Sequence, residues 1–206
     1  MPSNGQLFSS EAQTLSDRRL ARKLSADMRV KACADVVNAE PDEPWLIWCD
    51  LNAEGDALTK AIDGAVQVAG ADDIDVKEKR LIDFAEGRAR VLVSKPSIAG
   101  HGLNFQHAAR MAFVGVTDSY EAYYQAVRRE WRFGQDRPVH VHIFASKAEG
   151  AVLSNIKRKE AEAAEMADQL SAETHDAVVA NVLGLTRETN IYNAAHRVSR
   201  PSWLGA

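Results

Sequence analysis

Five short apolar runs punctuate the chain, and polar stretches with helical spacing separate most of them. Trp45 to Cys49 is apolar at every position, and Ala65–Val68, Arg90–Ser94, Met111–Gly115 and Val139–Phe144 are the other runs. Most do not alternate apolar with polar residues, which suits strands buried on both faces. Between them the pattern predicts a helix from Ala53 to about Ile62 with Asn52 as cap, and another capped by Asp75 that Gly87 stops. A further helix starts at Asp118 or Ser119 and runs to about Phe133, where Gly134 stops it. Strands alternating with helices predict an α/β fold: an open parallel sheet with helices on both faces. Such sheets bind ligands at the carboxyl ends of their strands. That rule puts Asp50-Leu51-Asn52, Ser94 to Asn104 and Val116 to Ser119 on one functional rim.

The sheet pattern occupies residues 44–146. Residues 1–43 read as a helical linker or remnant, with Leu20, Leu24, Met28 and Val36 among basic residues before Pro41 and Pro44 break the helix. Residues 147–206 read as a helical extension and tail, in which Ile156, Ala163, Met166 and Leu170 are helically spaced and Tyr192 and Trp203 are buried-type anchors.

Composition narrows the class. The chain has 206 residues, 46% of them hydrophobic and 26% charged, an ordinary soluble globular balance. No apolar run is long enough to span a membrane and no signal peptide is recognisable, so a cytoplasmic protein is expected. Cys33 and Cys49 lack metal-ligand spacing, and His140 and His142 alone are too few for a metal site, so none is expected. The net charge of −4 excludes a protein that coats nucleic acid by bulk charge; any such contact needs local basic clusters.

Two segments carry candidate chemistry. On a helix, Tyr120, Tyr124, Val127 and Trp131 form a stripe roughly 60° wide, expected to face the core. Gln125, Arg129 and Arg132 share the opposite face. Arginines held rigidly beside a strand-end rim offer fixed bidentate donors to phosphate; the alternative is a solvated basic face. The second segment runs from Ser94 to Asn104. Gly100 and Gly102 permit close backbone approach to a phosphate, with Ser94, Ser97 and Lys95 as donors and Asn104 as a donor or a turn residue. The alternative there is an ordinary glycine turn.

Together these segments resemble the last two signature motifs of superfamily-two helicases, nearest to the Swi/Snf-like branch with its phage-type members. The penultimate motif, roughly S-T-x-A-G-G-x-G-L-N-L, matches at Ser94, Ala99, Gly100, Gly102, Leu103 and Asn104. The last, roughly Q-A-x-D-R-x-H-R-x-G-Q, matches at Gln125, Ala126, Arg129, Arg132, Gly134 and Gln135. Arg128 replaces its acidic residue and Trp131 its histidine. Trp45 to Asn52 and Lys77 to Phe84 resemble the lobe's first strand and the basic helix before the glycine motif, and Pro201 to Leu204 resembles the tail of the phage-type members. The resemblance implies a RecA-like second motor lobe. Arg129 and Arg132 would be arginine fingers for an ATP γ-phosphate, with Gln125 beside them and Gly100, Gly102 and Gln135 near the nucleotide. Ser94, Lys95, Ser97 and Asn104 would meet the nucleic acid, DNA being the expected track and RNA the other option.

The chain contains no G-x-x-x-x-G-K-[ST] sequence and no strand-end Asp-Glu pair to hold Mg²⁺. ATP and Mg²⁺ are therefore expected to be held mainly by a first lobe in the same or another polypeptide, and this chain alone is expected to be inactive. The alternative is a stand-alone nucleic-acid or partner-binding module using Lys77, Lys79, Arg80, Arg88, Arg90 and Lys95.

Overall fold

β1 (Trp45–Cys49) is buried at all five positions because it lies at the centre of a sheet covered on both sides. The sheet adds β2 (Ala65–Val68), β3 (Val91–Ser94), β4 (Arg110–Val114) and β5 (His140–Phe144) in the order β2-β3-β1-β4-β5. Every pairing is parallel, with Trp45 opposite both Val91 and Arg110. The computed structural model describes residues 20, 22–99, 103–116 and 119–182. Two compact units divide the chain, residues 1–161 and 162–206.

Side chains alternate across β1, so its apolar run feeds two cores. Trp45, Ile47 and Cys49 pack with Val91, Val93, Ala112 and Val114 against α1 (Ala26–Asn38) and α2 (Asn52–Ala61). Leu46 and Trp48 pack with Leu92, Met111 and Phe113 on the other face. There they meet α3 (Ile74–Ala85), α4 (Pro96–Ala99), α5 (Tyr120–Val127) and the start of α6 (Gly150–Val182) through Phe84, Ala99, Ala126, Val152 and Ile156. This is the helix-flanked parallel sheet that the apolar pattern predicts.

Several local expectations change. Ahead of the sheet, Leu20, Leu24 and Met28 are exposed, and α1 buries Val30, Cys33, Ala34 and Val37. Leu51 and Asp73, not Asn52 and Asp75, occupy the N-cap positions of α2 and α3. Ser119 does cap α5, its Oγ accepting from Ala122 N at 3.2 Å; Asp118 lies outside the described residues, as do Tyr192 and Trp203. Met166 and Leu170 of the second unit are exposed. The largest correction concerns α5. It ends at Val127, and Arg128 to Glu130 continue as turns. Its inward face is Tyr120, Tyr123, Ala126 and Val127, while Tyr124 and Trp131 are 39% and 54% exposed. The expected stripe mistook two surface aromatics for core.

Some charges are buried as deeply as the apolar core. Arg29 Nη2 lies 2.7 Å from Glu54 Oε1, and Arg29 Nε lies 3.8 Å from Glu149 Oε2. Glu54 also caps α2, accepting from Asp50 N at 3.2 Å and Leu51 N at 2.9 Å. Glu149 accepts from Ser146 N and Oγ at 2.8 and 3.0 Å. The cluster thus joins α1, the α2 N-terminus and the approach to α6. Glu130 is different: it is fully buried and neither carboxylate oxygen has a hydrogen-bond partner. Burial raises its pKa well above the ordinary value, outweighing Arg110 and Arg137, which pull it down.

Removing one partner of a buried ion pair leaves an uncompensated charge. Arg29→Met is expected to cost roughly 3–5 kcal/mol in urea unfolding; a loss below about 1 kcal/mol would show that the cluster is not an energetic unit. Glu130 makes stability depend on pH. Its folded pKa lies above the unfolded one, so its contribution is present below the ordinary carboxylate range and is lost as pH rises through the folded value. Urea unfolding between about pH 4 and about pH 9 should show wild type losing stability relative to Glu130→Gln as pH rises. Parallel curves would mean that the buried carboxyl is already ionised or solvated.

Candidate functional site

The carboxyl ends of β1, β3 and β4 form one rim, where Asp50, Lys95 and Val116 leave the sheet. Trp48, Asp50, Pro96, Val116 and Tyr123 line a small cleft in it. Arg22 spans the rim from outside: Nη1 contacts Asp50 Oδ2 at 2.5 Å, Nη2 donates to Val116 O at 2.7 Å, and Nε reaches Glu149 Oε1 at 3.4 Å. Arg29 Nη2 donates to Arg22 O at 2.5 Å. Gly115 has φ +78°, and a Cβ there would meet Arg29 Nη1 at 2.5 Å. Glycine is therefore required twice, for backbone and for space. Pattern reading did not single out Arg22, Arg29, Glu54 or Glu149. The available signal was the seven-residue spacing of Arg22 and Arg29, which places both on one helix face.

The glycine-bearing segment divides into residues facing inward and residues facing the rim. Ser94 is buried, and its Oγ donates to Val68 O at 2.9 Å. Its hydroxyl is engaged inside the sheet, unlike that of Ser97, which is exposed on α4. Lys95 is half-buried and its carbonyl accepts from Ile98 N and Ala99 N at 2.9 and 3.1 Å, shaping the short helix. Gly100 and Gly102 lie outside the described residues. Asn104 forms a local turn with Gln106: Nδ2 donates to Gln106 Oε1 at 3.0 Å and Oδ1 accepts from Gln106 N at 3.2 Å.

The arginine turn closes on this segment. Arg129 Nη1 donates to Leu103 O at 2.9 Å, and Arg132 Nη1 reaches the same oxygen at 3.3 Å. Arg129 Nε donates to Gln125 O at 3.2 Å, so Gln125 and both arginines do come together. Arg129 is buried; its guanidinium pKa is lowered first by that burial and then by the charge of Arg132. Arg132 is exposed. Phe105 N donates to Arg129 O at 2.9 Å, tying the turn to the loop a second time. Gln135 makes a third tie. Its Nε2 lies 2.9 Å from Gln106 O, 2.9 Å from Ala108 O and 3.3 Å from Glu130 O, while its Oε1 accepts from Arg137 N at 3.0 Å. The Gln135 amide therefore braces the turn from within.

The basic set proposed for a stand-alone binding module is largely engaged elsewhere. Lys77 donates to Gly70 O at 2.7 Å, Lys79 pairs with Asp83 at 3.0 Å, and Arg80 pairs with Asp72 at 3.0 Å. Arg88 pairs with Asp83 at 2.7 Å, and Arg90 donates to Val37 O, Glu40 O and Asp63 O. Lys77, Lys79 and Arg88 make these contacts at the exposed surface, where such pairs contribute little.

Comparison with known proteins fits this geometry. The helicase conserved C-terminal domain matches residues 28–134, slightly more than half of the chain. Protein p41 of Acyrthosiphon pisum secondary endosymbiont phage 1 is 25% identical over 127 residues, taking in 59% of this chain and 26% of that protein. The chain thus spans about a quarter of that relative's length. The C-terminal part of the Fun30 ATPase domain superposes with a TM-score of 0.55 at 15% identity, covering 68% of this chain and 54% of that one. The C-terminal domain of the DEAD-box protein Dbp5 gives 0.57 at 14%, covering 66% and 80%. S. cerevisiae Dbp5 bound to RNA and ADP BeF3 gives 0.57 at 14%, covering 65% and 36%. No described helix is long and apolar enough to cross a membrane. With a parallel sheet of this order, both late motifs joined at Leu103 and a family match over most of the sheet, the chain belongs to the helicase conserved C-terminal domain family and has its RecA-like fold.

Proposed function

We propose that this lobe works as the second half of an ATP-driven helicase or translocase motor of the Swi/Snf-like or phage-type branch, with DNA as its track. The observation that carries the reading is the convergence of Arg129 and Arg132 on the Leu103 carbonyl, at the joint between the two late motifs. Arg132 is exposed and has donors beyond its single contact with Leu103, so its fork is available to an anion across a cleft. Arg129 is the better-fixed partner, held by two carbonyls and partly desolvated. Lowered hydration strengthens the attraction of a guanidinium for phosphate oxygens.

ATP with Mg²⁺, held by a first lobe, supplies the transferring γ-phosphoryl group. Arg129 and Arg132 stabilise the charge that develops on its oxygens. Gln125 sets the orientation of Arg129 through its carbonyl, and Gln135 holds the turn against Gln106 and Ala108. Gly100 and Gly102 let the backbone approach a phosphate. Lys95, Ser97 and Asn104 face the strand, and Ser94 holds the base of that loop to β2. The first lobe lies outside these residues, consistent with a phage relative about four times as long as the matched region.

With a first lobe supplied, Arg132→Ala should cut nucleic-acid-stimulated ATP hydrolysis roughly 10³-fold or more. Its unfolding free energy should move by less than about 0.5 kcal/mol, because the side chain is exposed. Arg129→Ala should lose turnover similarly and also lose stability, since its bonds to Gln125 and Leu103 go with it. Undiminished hydrolysis by Arg132→Ala in the mixed lobes would remove the finger assignment. Stronger stimulation by RNA than by DNA would correct the track.

A further inference from the structure

Glu130 is the one acidic residue from Arg128 to Gln135, and it lies between Arg129 and Arg132. The helicase motif leaves its position open. Its side chain is fully buried, and neither carboxylate oxygen has a hydrogen-bond partner. An unpartnered buried polar group costs stability, a cost that an apolar side chain of similar size would avoid. The backbone of Glu130, by contrast, stands at the centre of the turn. Glu130 N donates to Val127 O at 3.2 Å, and Glu130 O accepts from Arg132 N at 3.1 Å and from Gln135 Nε2 at 3.3 Å. A side chain this deep reaches water only if the backbone that carries it shifts, and that backbone positions Arg129 and Arg132.

The charges around Glu130 decide which form of it fits. Arg110, at the start of β4, and Arg137, ahead of β5, are the cations that act on its carboxyl. Each already has a carboxylate: Arg110 Nε lies 2.8 Å from Glu40 Oε2, and Arg137 Nη2 lies 2.5 Å from Glu43 Oε2. Within the turn, Arg128 stands over Trp131, while Arg129 and Arg132 point at Leu103 O. His107, on the loop that the turn closes on, is half-buried with Nε2 unpartnered, and burial lowers its pKa. Among the described residues none of these cations is bonded to the Glu130 carboxyl. Burial raises its pKa well above the ordinary carboxylate value, and Arg110 and Arg137 only partly oppose this.

We propose that Glu130 is a positioning residue for the arginine pair: its neutral carboxyl fits the buried site, and its ionised form shifts the turn that aims Arg129 and Arg132. An anion at this depth needs water or a cation. Arg137 is already tied to the turn, because its N donates to Gln135 Oε1 at 3.0 Å and the same Gln135 amide holds Glu130 O. A carboxylate that draws in Arg137 or opens to water therefore pulls on Gln135, the brace of the turn. The consequence for turnover rests on the finger reading; the movement of the turn does not.

The test follows Trp131, one residue on and partly exposed, by fluorescence of the full chain without denaturant. Between about pH 5 and about pH 9, wild type should show a reversible step in emission that Trp131→Phe removes and Glu130→Gln lacks. Glu130→Met, which also has no proton to lose, should lack it too, so the result does not depend on one variant's folding. With a first lobe supplied, the ratio of wild-type to Glu130→Gln kcat should fall about tenfold per pH unit above the midpoint of the step, with KM for ATP unchanged. A purely structural role would move the urea midpoint and leave both readouts flat. The proposal is overturned if wild-type emission has no step, or if the step persists in Glu130→Gln. It is also overturned if the kcat ratio stays flat across the step while Arg132→Ala still cuts hydrolysis. Hydrolysis indifferent to Arg132→Ala would instead remove the finger reading, with the emission step still in place.

Discussion

One carbonyl oxygen, that of Leu103, holds the candidate site together. A backbone carbonyl has two lone pairs, and here both neighbouring arginines point at it, Arg129 at 2.9 Å and Arg132 at 3.3 Å. Two like charges are thereby drawn to one point, which neither would favour alone. The supporting bonds come from the loop and the turn together: Phe105 N to Arg129 O, and the Gln135 amide to Gln106, Ala108 and Glu130. Because Leu103 belongs to the glycine-bearing segment, any shift of that segment changes what both guanidinium groups can reach. The shared acceptor turns two motifs, separate in sequence, into one mechanical part.

Beneath this joint the rim is organised by charge. Glu54 accepts from two backbone amides at the start of α2 and also faces Arg29, so one carboxylate satisfies a helix end and neutralises a buried cation. Arg22 then links Asp50, Val116 and Glu149 across the ends of β1 and β4. Apolar packing sets where the strands lie. These ion pairs set where the loops leave them.

Much of the fold was legible because β1 and β3 are buried on both faces, which forces a run of apolar residues that few other structures explain. The helix from Ser119 was legible at its start, where Ser119 caps it, and illegible at its end. Large apolar residues at helical spacing look the same whether a helix continues or stops, and here Val127 is the last helical residue because the turn beyond it serves Leu103 and Gln135. Tyr124 and Trp131 were therefore read as core, while Tyr123 was missed. Ser94 read as a surface donor because it ends a strand, yet β2 stands beside it and takes its hydroxyl. The Arg29 cluster was beyond pattern reading, since its partners are assembled by tertiary structure. By contrast, the Lys79–Asp83 pair at i,i+4 was there to be found.

Gly115 and Arg29 show how such a cluster constrains change. A side chain at 115 would be strained by φ +78° and would collide with the Arg29 guanidinium. Shortening Arg29 would clear the space but leave Glu54 and Glu149 buried without their cation. Each substitution is harmful on its own, and the first does not make the second neutral. The two positions, distant in sequence, are coupled unequally: shortening Arg29 is accepted only if Glu54 and Glu149 change with it, while the backbone at Gly115 excludes a side chain in either case. The rim beside the candidate site is therefore expected to vary as a block of residues rather than one position at a time.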